Sequence, residues 1–178
     1  NEEEISTLLN NIKEIATPMF ATRDLCIVSL GLTTGLRVSA ICNINIDDID
    51  FGTNRIKVIE KGNKTRYIRF GEKTKEVIFD CIEDRNKYFA GVDTDALFVS
   101  RNGNRISTSM VGVLINKYTT GITNKHITPH KLRASCATNL YQKTGDLLLT
   151  SKILGHENIQ TTRRYAAVAD SSIDEATQ

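Results

Sequence analysis

The sequence lacks the signatures of several protein classes. Its 178 residues contain no apolar run long enough to span a membrane, and no signal-peptide pattern opens them. The chain has four cysteines but no C-x-x-C pair, so neither a zinc site nor a redox motif is indicated. It also has no glycine-rich phosphate loop and no clustered carboxylates of the kind that hold two metal ions. We therefore expect a cytoplasmic protein without membrane contact or cofactor, whose thiols are reduced and mostly buried.

The charge of the chain is nearly balanced. A formal net charge of +2 is weak for a protein that binds nucleic acid, so composition alone does not suggest DNA. With 40% hydrophobic and 25% charged residues, the chain fits one soluble globular domain with a core. Positive charge is concentrated between Asn54 and Lys75, which fits a one-sided contact with phosphates; a solvated surface is the alternative. The basic residues of that segment are Arg55, Lys57, Lys61, Lys64, Arg66, Arg69, Lys73 and Lys75.

Hydrophobic periodicity predicts a mainly helical α+β protein with a small antiparallel sheet. Pro18 is expected to end the first helix or to follow its end, and Thr22 to cap the second. The polar tail after Ala169 has weak periodicity. The predicted helices cover about 1–16, 22–33, a short segment after Arg37, 75–89, 108–118, 129–144, 147–154, and a last segment capped by Asn158; strands lie within 47–70, and loops at 101–104 and 121–126.

Two runs of period-two alternation predict a β-hairpin within this sheet. Ile56 and Val58 alternate with basic residues in the first run, and Ile68 lies in the second. The turn between them is the K-G-N-K segment at 61–64, where glycine and asparagine supply the unusual backbone angles. Lys61 is therefore expected at an exposed hairpin tip, where a lysine is usually just solvated.

The segment from Thr128 onward predicts a helix with an anion site at its start. Thr128 is a good N-cap, and Pro129 suits the first helical position because its missing N–H is not needed there. His130 and Arg133 follow three residues apart, so they share a helix face close to that N-terminus. An imidazole and a guanidinium at a helix N-terminus make a phosphate site plausible, although such a pair alone is more often simply surface.

Two further features follow at fixed spacing. Leu154-Gly155-His156 ends the next predicted helix, with Gly155 as its stop. Tyr165 lies nine residues after His156, on the last helix. Each feature has an ordinary interpretation, a C-cap in one case and a packed aromatic in the other. It is the order and spacing of all of them together that indicate a common function.

These elements resemble the conserved boxes of the tyrosine recombinases, the phage-integrase family of site-specific DNA recombinases. The resemblance covers almost the whole chain and implies the catalytic fold of that family, a helical domain with a small antiparallel β-sheet. The matching elements are Thr34-Gly35-Leu36-Arg37, the hairpin Lys61, His130-x-x-Arg133, Leu154-Gly155-His156 and Tyr165.

The resemblance assigns roles that the chemistry of these side chains supports. Tyr165 is the implied nucleophile, and a free tyrosine, with a pKa of about 10, needs cationic neighbours or a base to attack at neutral pH. Arg37 and Arg133 are the implied clamp on the non-bridging phosphate oxygens, to which guanidinium groups donate paired hydrogen bonds. His156 is implied as a further donor to the same oxygens. His130 is implied to accept or relay the tyrosine proton.

The basic hairpin completes the implied site. Lys61, rather than Lys64, matches the family's lysine and is the candidate acid that protonates the departing 5′ oxygen. Lys64 and Arg66 are expected to bind DNA phosphates nearby.

The implied reaction exchanges one phosphodiester for another through a 3′-phosphotyrosine intermediate, so neither ATP nor a metal ion is required. The implied partner is double-stranded DNA with a specific recombination site, on which the protein would assemble as a tetramer. Integration of a mobile element is the expected setting. Two alternatives stay open at this point: nicking and closing of DNA like a type IB topoisomerase, and a catalytically silent DNA-binding module.

The chain departs from the family pattern in two places. The family commonly has glutamate three residues after the first arginine, whereas this chain has Ala40. That change is expected to slow catalysis without abolishing it, because the glutamate supports other site residues. The family also carries an N-terminal core-binding domain. We expect residues 1–170 to form the catalytic domain, 171–178 a C-terminal tail, and the core-binding domain to lie outside this chain.

Overall fold

Helices make up most of the molecule, with one small sheet, in a computed structural model of the chain. The structure describes residues 2–60, 62–120, 127–155 and 159–176, with side chains for 3–60, 62–120, 127–155 and 159–169. Within these residues the elements are α1 (Glu2–Ile15), α2 (Pro18–Thr34), α3 (Val38–Cys42), a 3₁₀ turn (Ile46–Asp48), β1 (Ile49–Asp50), β2 (Arg55–Glu60), β3 (Lys64–Arg69), α4 (Glu72–Tyr88), α5 (Thr108–Thr119), α6 (Pro129–Thr144), α7 (Leu147–Leu154) and α8 (Gln160–Ala176). The prediction of a mainly helical α+β fold is confirmed.

Helix α2 is the centre of the core. It packs against α1, α4, α5 and α6, and its Ile27 and Leu30 are fully buried. The apolar stripe predicted on α1 supplies Leu8 and Ile12 to this core, whereas Ile15 at the helix end is exposed. The loss of water contact by such side chains is the main favourable contribution to folding. A smaller cluster joins Ala137 of α6 to Leu154 and Tyr165, and Tyr165 also lines the candidate site.

The three strands form an antiparallel sheet in the order β1-β2-β3. Ile56 of β2 pairs with Ile68 of β3, and both are buried, so the alternation read from the sequence places the apolar face inward. Gly62 and Asn63 have φ values of 81° and 59° in the hairpin turn. These are the positive φ values that glycine and asparagine were predicted to supply. Lys61, predicted at the tip of the same hairpin, lies outside the described residues.

Several helix ends are where local sequence predicts them. The Thr128 hydroxyl oxygen accepts a hydrogen bond from the Lys131 amide at 3.3 Å, and Pro129 occupies the first turn of α6. Gly145 ends that helix at a φ of 64°. Asp146 then caps α7, because its Oδ1 accepts from the Leu149 amide at 2.9 Å. The predicted Asn158 cap and the 121–126 loop lie outside the described residues.

Helix α2 begins earlier than predicted. The prediction started it at Thr22, whereas it begins at Pro18 after an extended Thr17. Proline is well suited to the first turn, so Pro18 opens α2 rather than only closing α1. The Thr22 hydroxyl instead donates to Asp84 Oδ2 at 3.0 Å, across to α4.

Two other helices are longer than predicted. Helix α4 begins at Glu72 rather than Lys75, with an acidic residue in its first turn, where the helix dipole favours negative charge. The last helix continues to Ala176, through the predicted domain boundary at 170.

The four cysteines are buried and free, as expected. No helix in the described part of the chain is long and apolar enough to cross a membrane.

Candidate active site

An open groove of about 1480 Å³ lies between the β2–β3 hairpin and the helices α3, α6, α7 and α8. Four of the residues predicted to be catalytic line it: Arg37, His130, Arg133 and Tyr165. Lys64, predicted to bind DNA, lines it too. Residues more than a hundred positions apart in the chain therefore meet at one surface.

Arg133 is anchored by two helix ends. Its side chain points into the protein, and the residue is only 4% exposed. Nη1 donates to the Gly35 carbonyl just after α2, and Nη2 donates to the Leu154 carbonyl at the end of α7 at 2.9 Å. Carbonyls at helix C-termini have no helical partner and carry the negative end of the helix dipole, so a buried guanidinium satisfies both. The arginine is thereby held in one place before any ligand binds.

Gly35 makes this arrangement possible. It ends α2 with a φ of 62°, a conformation that residues with a side chain rarely adopt. A Cβ at this position would lie 2.4 Å from Leu154 Cδ2, closer than van der Waals contact allows. The glycine thus lets α2 and α7 approach so that Arg133 reaches both of their ends. The chain then continues through Leu36 to Arg37, which directly precedes α3.

Tyr165 lies in a small apolar cluster on the helical side of the groove. It is 8% exposed and packs with Ala137, Leu154 and Ala134. Leu154 therefore does two things: its side chain supports the tyrosine ring, and its carbonyl binds Arg133. The phenol is close enough to Arg133 to oppose part of the lowering that burial causes in the pKa of the guanidinium. A cation so placed would stabilise negative charge on the phenol oxygen.

The guanidinium groups influence one another across the groove. The pKa of Arg133 is lowered to about 10, chiefly by burial and then by the positive charge of Arg37, whereas Tyr165 and Glu60 act in the opposite direction. The pKa of Arg66 is also lowered, first by burial and also by Arg37, with Glu60 opposing. The basic residues that line the groove outnumber its two carboxylates, Glu60 and Asp48, and this excess of positive charge attracts a phosphate.

Arg37 and His130 are the accessible members of the site. Arg37 occupies the position just before α3, its side chain is 46% exposed, and its Nη1 lies 3.5 Å from Glu60 Oε1. His130, in the first turn of α6, is exposed. A ligand in the groove would therefore meet these two side chains first and the buried Arg133 behind them.

The two basic residues of β3 differ in placement. Lys64 is exposed at the edge of the groove. Arg66 turns toward the protein: its Nη1 donates to the Ile153 carbonyl at 2.9 Å, and its Nη2 lies 3.0 Å from Glu60 Oε1. The assignment of Lys64 and Arg66 to DNA stays a prediction; of the two, Lys64 is exposed and Arg66 is partly buried.

Two predicted site residues cannot be placed. Lys61 and His156 lie outside the described residues, but the residue before each, Glu60 and Gly155, lines the groove. Glu60 was not singled out from the sequence. The signal for it in the sequence is its position directly before Lys61, as one of two acids, with Glu72, in the basic segment between Asn54 and Lys75.

Comparison of the sequence with known protein families identifies relatives of this chain. The model of the phage integrase family matches residues 1–172. The chain belongs to this family. The fold is likewise that of the family's solved structures, which confirms the fold expected from the resemblance.

Individual relatives agree with this membership. The chain is 37% identical over 175 residues to tyrosine recombinase XerC of Staphylococcus carnosus, covering 97% of this chain and 57% of that protein. The crystal structure of XerA recombinase superposes with a TM-score of 0.85 at 31% identity, covering 99% of this chain and 62% of that one. A pre-cleavage complex of XerH recombinase with its difH substrate gives 0.82 at 25% identity, covering 93% and 49%. The chain spans about half the length of the curated relatives it matches.

Proposed function

We propose that residues 1–170 are the catalytic domain of a site-specific recombinase that cuts and rejoins double-stranded DNA through a 3′-phosphotyrosine intermediate. Membership of the phage integrase family supports this, as do relatives named for the same activity. The accessory core-binding domain, assembly as a tetramer on DNA, service to a mobile element and a cytoplasmic location stay predictions.

The observation that carries the proposal is the meeting of Tyr165 and Arg133 in the groove. A tyrosine that attacks a phosphate needs positive charge beside the attacked phosphorus, and a preorganised cation supplies it without reorganisation during the reaction. Arg133 is fixed by two carbonyls, and Tyr165 is fixed by apolar packing against the same helix end. Arg37 faces the accessible side of this pair, so a phosphate could lie between the two guanidiniums.

The proposed step breaks one bond to phosphorus and makes another. The Tyr165 oxygen attacks the phosphorus, and the bond from phosphorus to the 5′ oxygen breaks. Arg37, Arg133 and His156 bind the non-bridging oxygens, His130 takes the phenol proton, and Lys61 gives a proton to the 5′ oxygen. The DNA is left attached to the enzyme by its 3′ phosphate, with a free 5′ hydroxyl. A second 5′ hydroxyl reverses the step, and the phosphodiester is conserved throughout.

Double-stranded DNA is the proposed substrate for two reasons. The groove is open, and it has an excess of positive charge in spite of the nearly neutral chain. The XerH relative has been solved with its DNA substrate bound before cleavage. Because phosphate contacts dominate such binding, we expect the affinity of this chain for DNA to fall steeply with salt.

A nicked suicide substrate, which traps the covalent intermediate, tests the proposal. The parent should form an SDS-resistant adduct, and Tyr165→Phe should bind the DNA equally well but form none. Tyr141→Phe, on α6, is the matched control and should retain the adduct. An adduct in Tyr165→Phe would contradict the assignment of the nucleophile. Joining of two separate sites, rather than relaxation of supercoils alone, distinguishes recombination from the topoisomerase alternative.

A further inference from the structure

The carboxylate of Glu60 lies between the guanidinium groups of Arg37 and Arg66 at the groove. Glu60, the last residue of β2, has a side chain that is only 15% exposed. Its Oε1 lies 3.0 Å from Arg66 Nη2 and 3.5 Å from Arg37 Nη1, so a single oxygen is shared between two cations. A carboxylate is shielded from water only at a cost that paired cations must offset. Its position therefore reflects both arginines rather than either one alone.

The pair formed by Glu60 and Arg66 is fixed to the end of α7. Arg66 Nη1 donates to the carbonyls of Ile153 at 2.9 Å and Lys152 at 3.4 Å, which are in the last turn of that helix. The contact is close, and Gly155 ends the helix with a φ of 68°, a conformation that favours glycine. A Cβ on Gly155 would lie 2.5 Å from Arg66 Nη1 and 2.9 Å from Glu60 Oε2. The base of the hairpin is thus attached to the helix that precedes His156.

Arg37 is the residue most dependent on this attachment. Its guanidinium is about half exposed at the end of a long flexible side chain, in contrast with the buried Arg133. Ala40, one turn along α3, lines the same groove and carries no charge that could orient it. Within the described residues, the carboxylate beside Arg37 comes from Glu60 on the hairpin. An arginine held by a fixed partner loses less freedom when a phosphate binds.

We propose that Glu60 is a positioning residue that orients Arg37 toward the groove and, through Arg66, fixes the base of the Lys61 hairpin to the end of α7. It acts through the arginines and does not itself contact the DNA. Glu60 thereby supplies, from a strand, the supporting carboxylate that α3 lacks at Ala40. This role rests on the proposed DNA cleavage by the same groove.

Cleavage kinetics test the role when binding and reaction are measured separately. Glu60→Gln keeps the size of the side chain and removes its charge. At saturating protein its cleavage rate should fall roughly tenfold to a hundredfold, the range seen when a group that orients a functional ligand is lost. Its affinity for DNA should stay the same or rise, because one negative charge near the phosphates has been removed. A loss of folded protein would instead lower both quantities.

The matched control is Glu76→Gln, which makes the same change in charge at an exposed position of α4. It should cleave at the parent rate. Equal rates for the parent and Glu60→Gln would overturn the proposal. So would faster cleavage by Glu60→Gln, which would make Glu60 a competitor of the phosphate for Arg37.

A measurement without DNA separates this role from the proposed function. The NMR order parameter of the Arg37 Nε–H bond should fall in Glu60→Gln and stay unchanged in Glu76→Gln, because the first loses the partner that restrains the guanidinium. An unchanged order parameter would overturn the positioning role whether or not the protein cleaves DNA. The order parameter could fall in Glu60→Gln although the parent protein cleaves no DNA. That result would support the positioning of Arg37 by Glu60 and contradict the proposed function.

Discussion

The helical wall and the hairpin wall of the groove are built differently. On the helical wall, Arg133 and Tyr165 are almost fully buried, and each is held by groups from at least two helices. On the hairpin wall, Lys64 is exposed, and Glu60 and Arg66 join the end of the strands to the end of α7, beyond the buried apolar face of the sheet. Arg133 and Tyr165 are thus fixed in advance, whereas the proposed acid, Lys61, lies in sequence at the turn between β2 and β3.

That difference suggests a division of labour. Electrostatic stabilisation is most effective when its dipoles and charges need no reorganisation, which a buried wall provides. A proton donor has to reach the leaving oxygen only once the DNA is bound, which a hairpin tip can do. Substitutions on the two walls should therefore fail in different ways.

Among substitutions that keep the Tyr165 nucleophile, the largest expected effect is on the hairpin wall. Lys61→Ala should cleave ordinary DNA roughly a hundred- to ten-thousand-fold more slowly, because the 5′ alkoxide then leaves without a proton. When sulfur replaces the bridging 5′ oxygen, the leaving group no longer needs that proton, and the variant should cleave nearly as fast as the parent. Single-turnover rates on both substrates at saturating protein measure this. If sulfur restores nothing, Lys61 only contacts a neighbouring phosphate, as Lys64 is proposed to do.

The arginines provide the complementary comparison. Arg37→Ala and Arg133→Ala should each slow cleavage by roughly a hundred- to a thousand-fold, and sulfur should rescue neither, since both act on non-bridging oxygens. Their stabilities should differ. Arg37→Ala, at an exposed side chain, should lower the free energy of unfolding by no more than about 0.5 kcal/mol. Arg133→Ala should lower it by about 1–3 kcal/mol, because the carbonyls of Gly35 and Leu154 lose their donor.

Urea unfolding of the two arginine variants checks the second part of that comparison. Equal loss of stability in both would mean that the bonds from Arg133 to the two helix ends do not hold the helical wall together.

A smaller, purely structural effect tests the approach of α2 to α7. Gly35→Ala should lower the free energy of unfolding by about 2–4 kcal/mol, the sum of a left-handed backbone and a clash with Leu154. Gly145 has nearly the same φ, 64° against 62°, but no atom lies within 4 Å of its would-be Cβ. Gly145→Ala should therefore cost only the backbone strain, about 1–2 kcal/mol. If both variants lost the same free energy of unfolding, the close approach of α2 to α7 would not be the reason for glycine at position 35.

The sequence predicted what depends on neighbouring residues. Thr128, Gly145 and Asp146 mark helix ends through bonds within three or four positions, so the local pattern contained them. The period-two alternation likewise identified the buried face of the hairpin, including Ile56 and Ile68. The motif spacing, through the family resemblance, also predicted a shared site for residues that line one groove in the structure.

What the sequence could not predict depends on distant partners. The bonds from Arg133 reach carbonyls 98 and 21 positions away, and a backbone carbonyl has no sequence signature. Alternation gave no indication that Arg66 would turn toward α7 while Lys64 stayed exposed, because that depends on how the sheet packs on the helices. Glu60 was overlooked for the same reason: its contact with Arg37 exists only after the hairpin lies beside α3.

The account depends most on which residue becomes attached to DNA, and that residue can be identified directly. The chain has five tyrosines, so proteolysis of the trapped adduct followed by mass spectrometry distinguishes them. We expect the parent to carry DNA on the peptide that contains Tyr165, joined through a 3′ phosphate, with a 5′ hydroxyl on the released strand. An adduct on another tyrosine, or attachment through a 5′ phosphate, would contradict the proposed geometry of the groove.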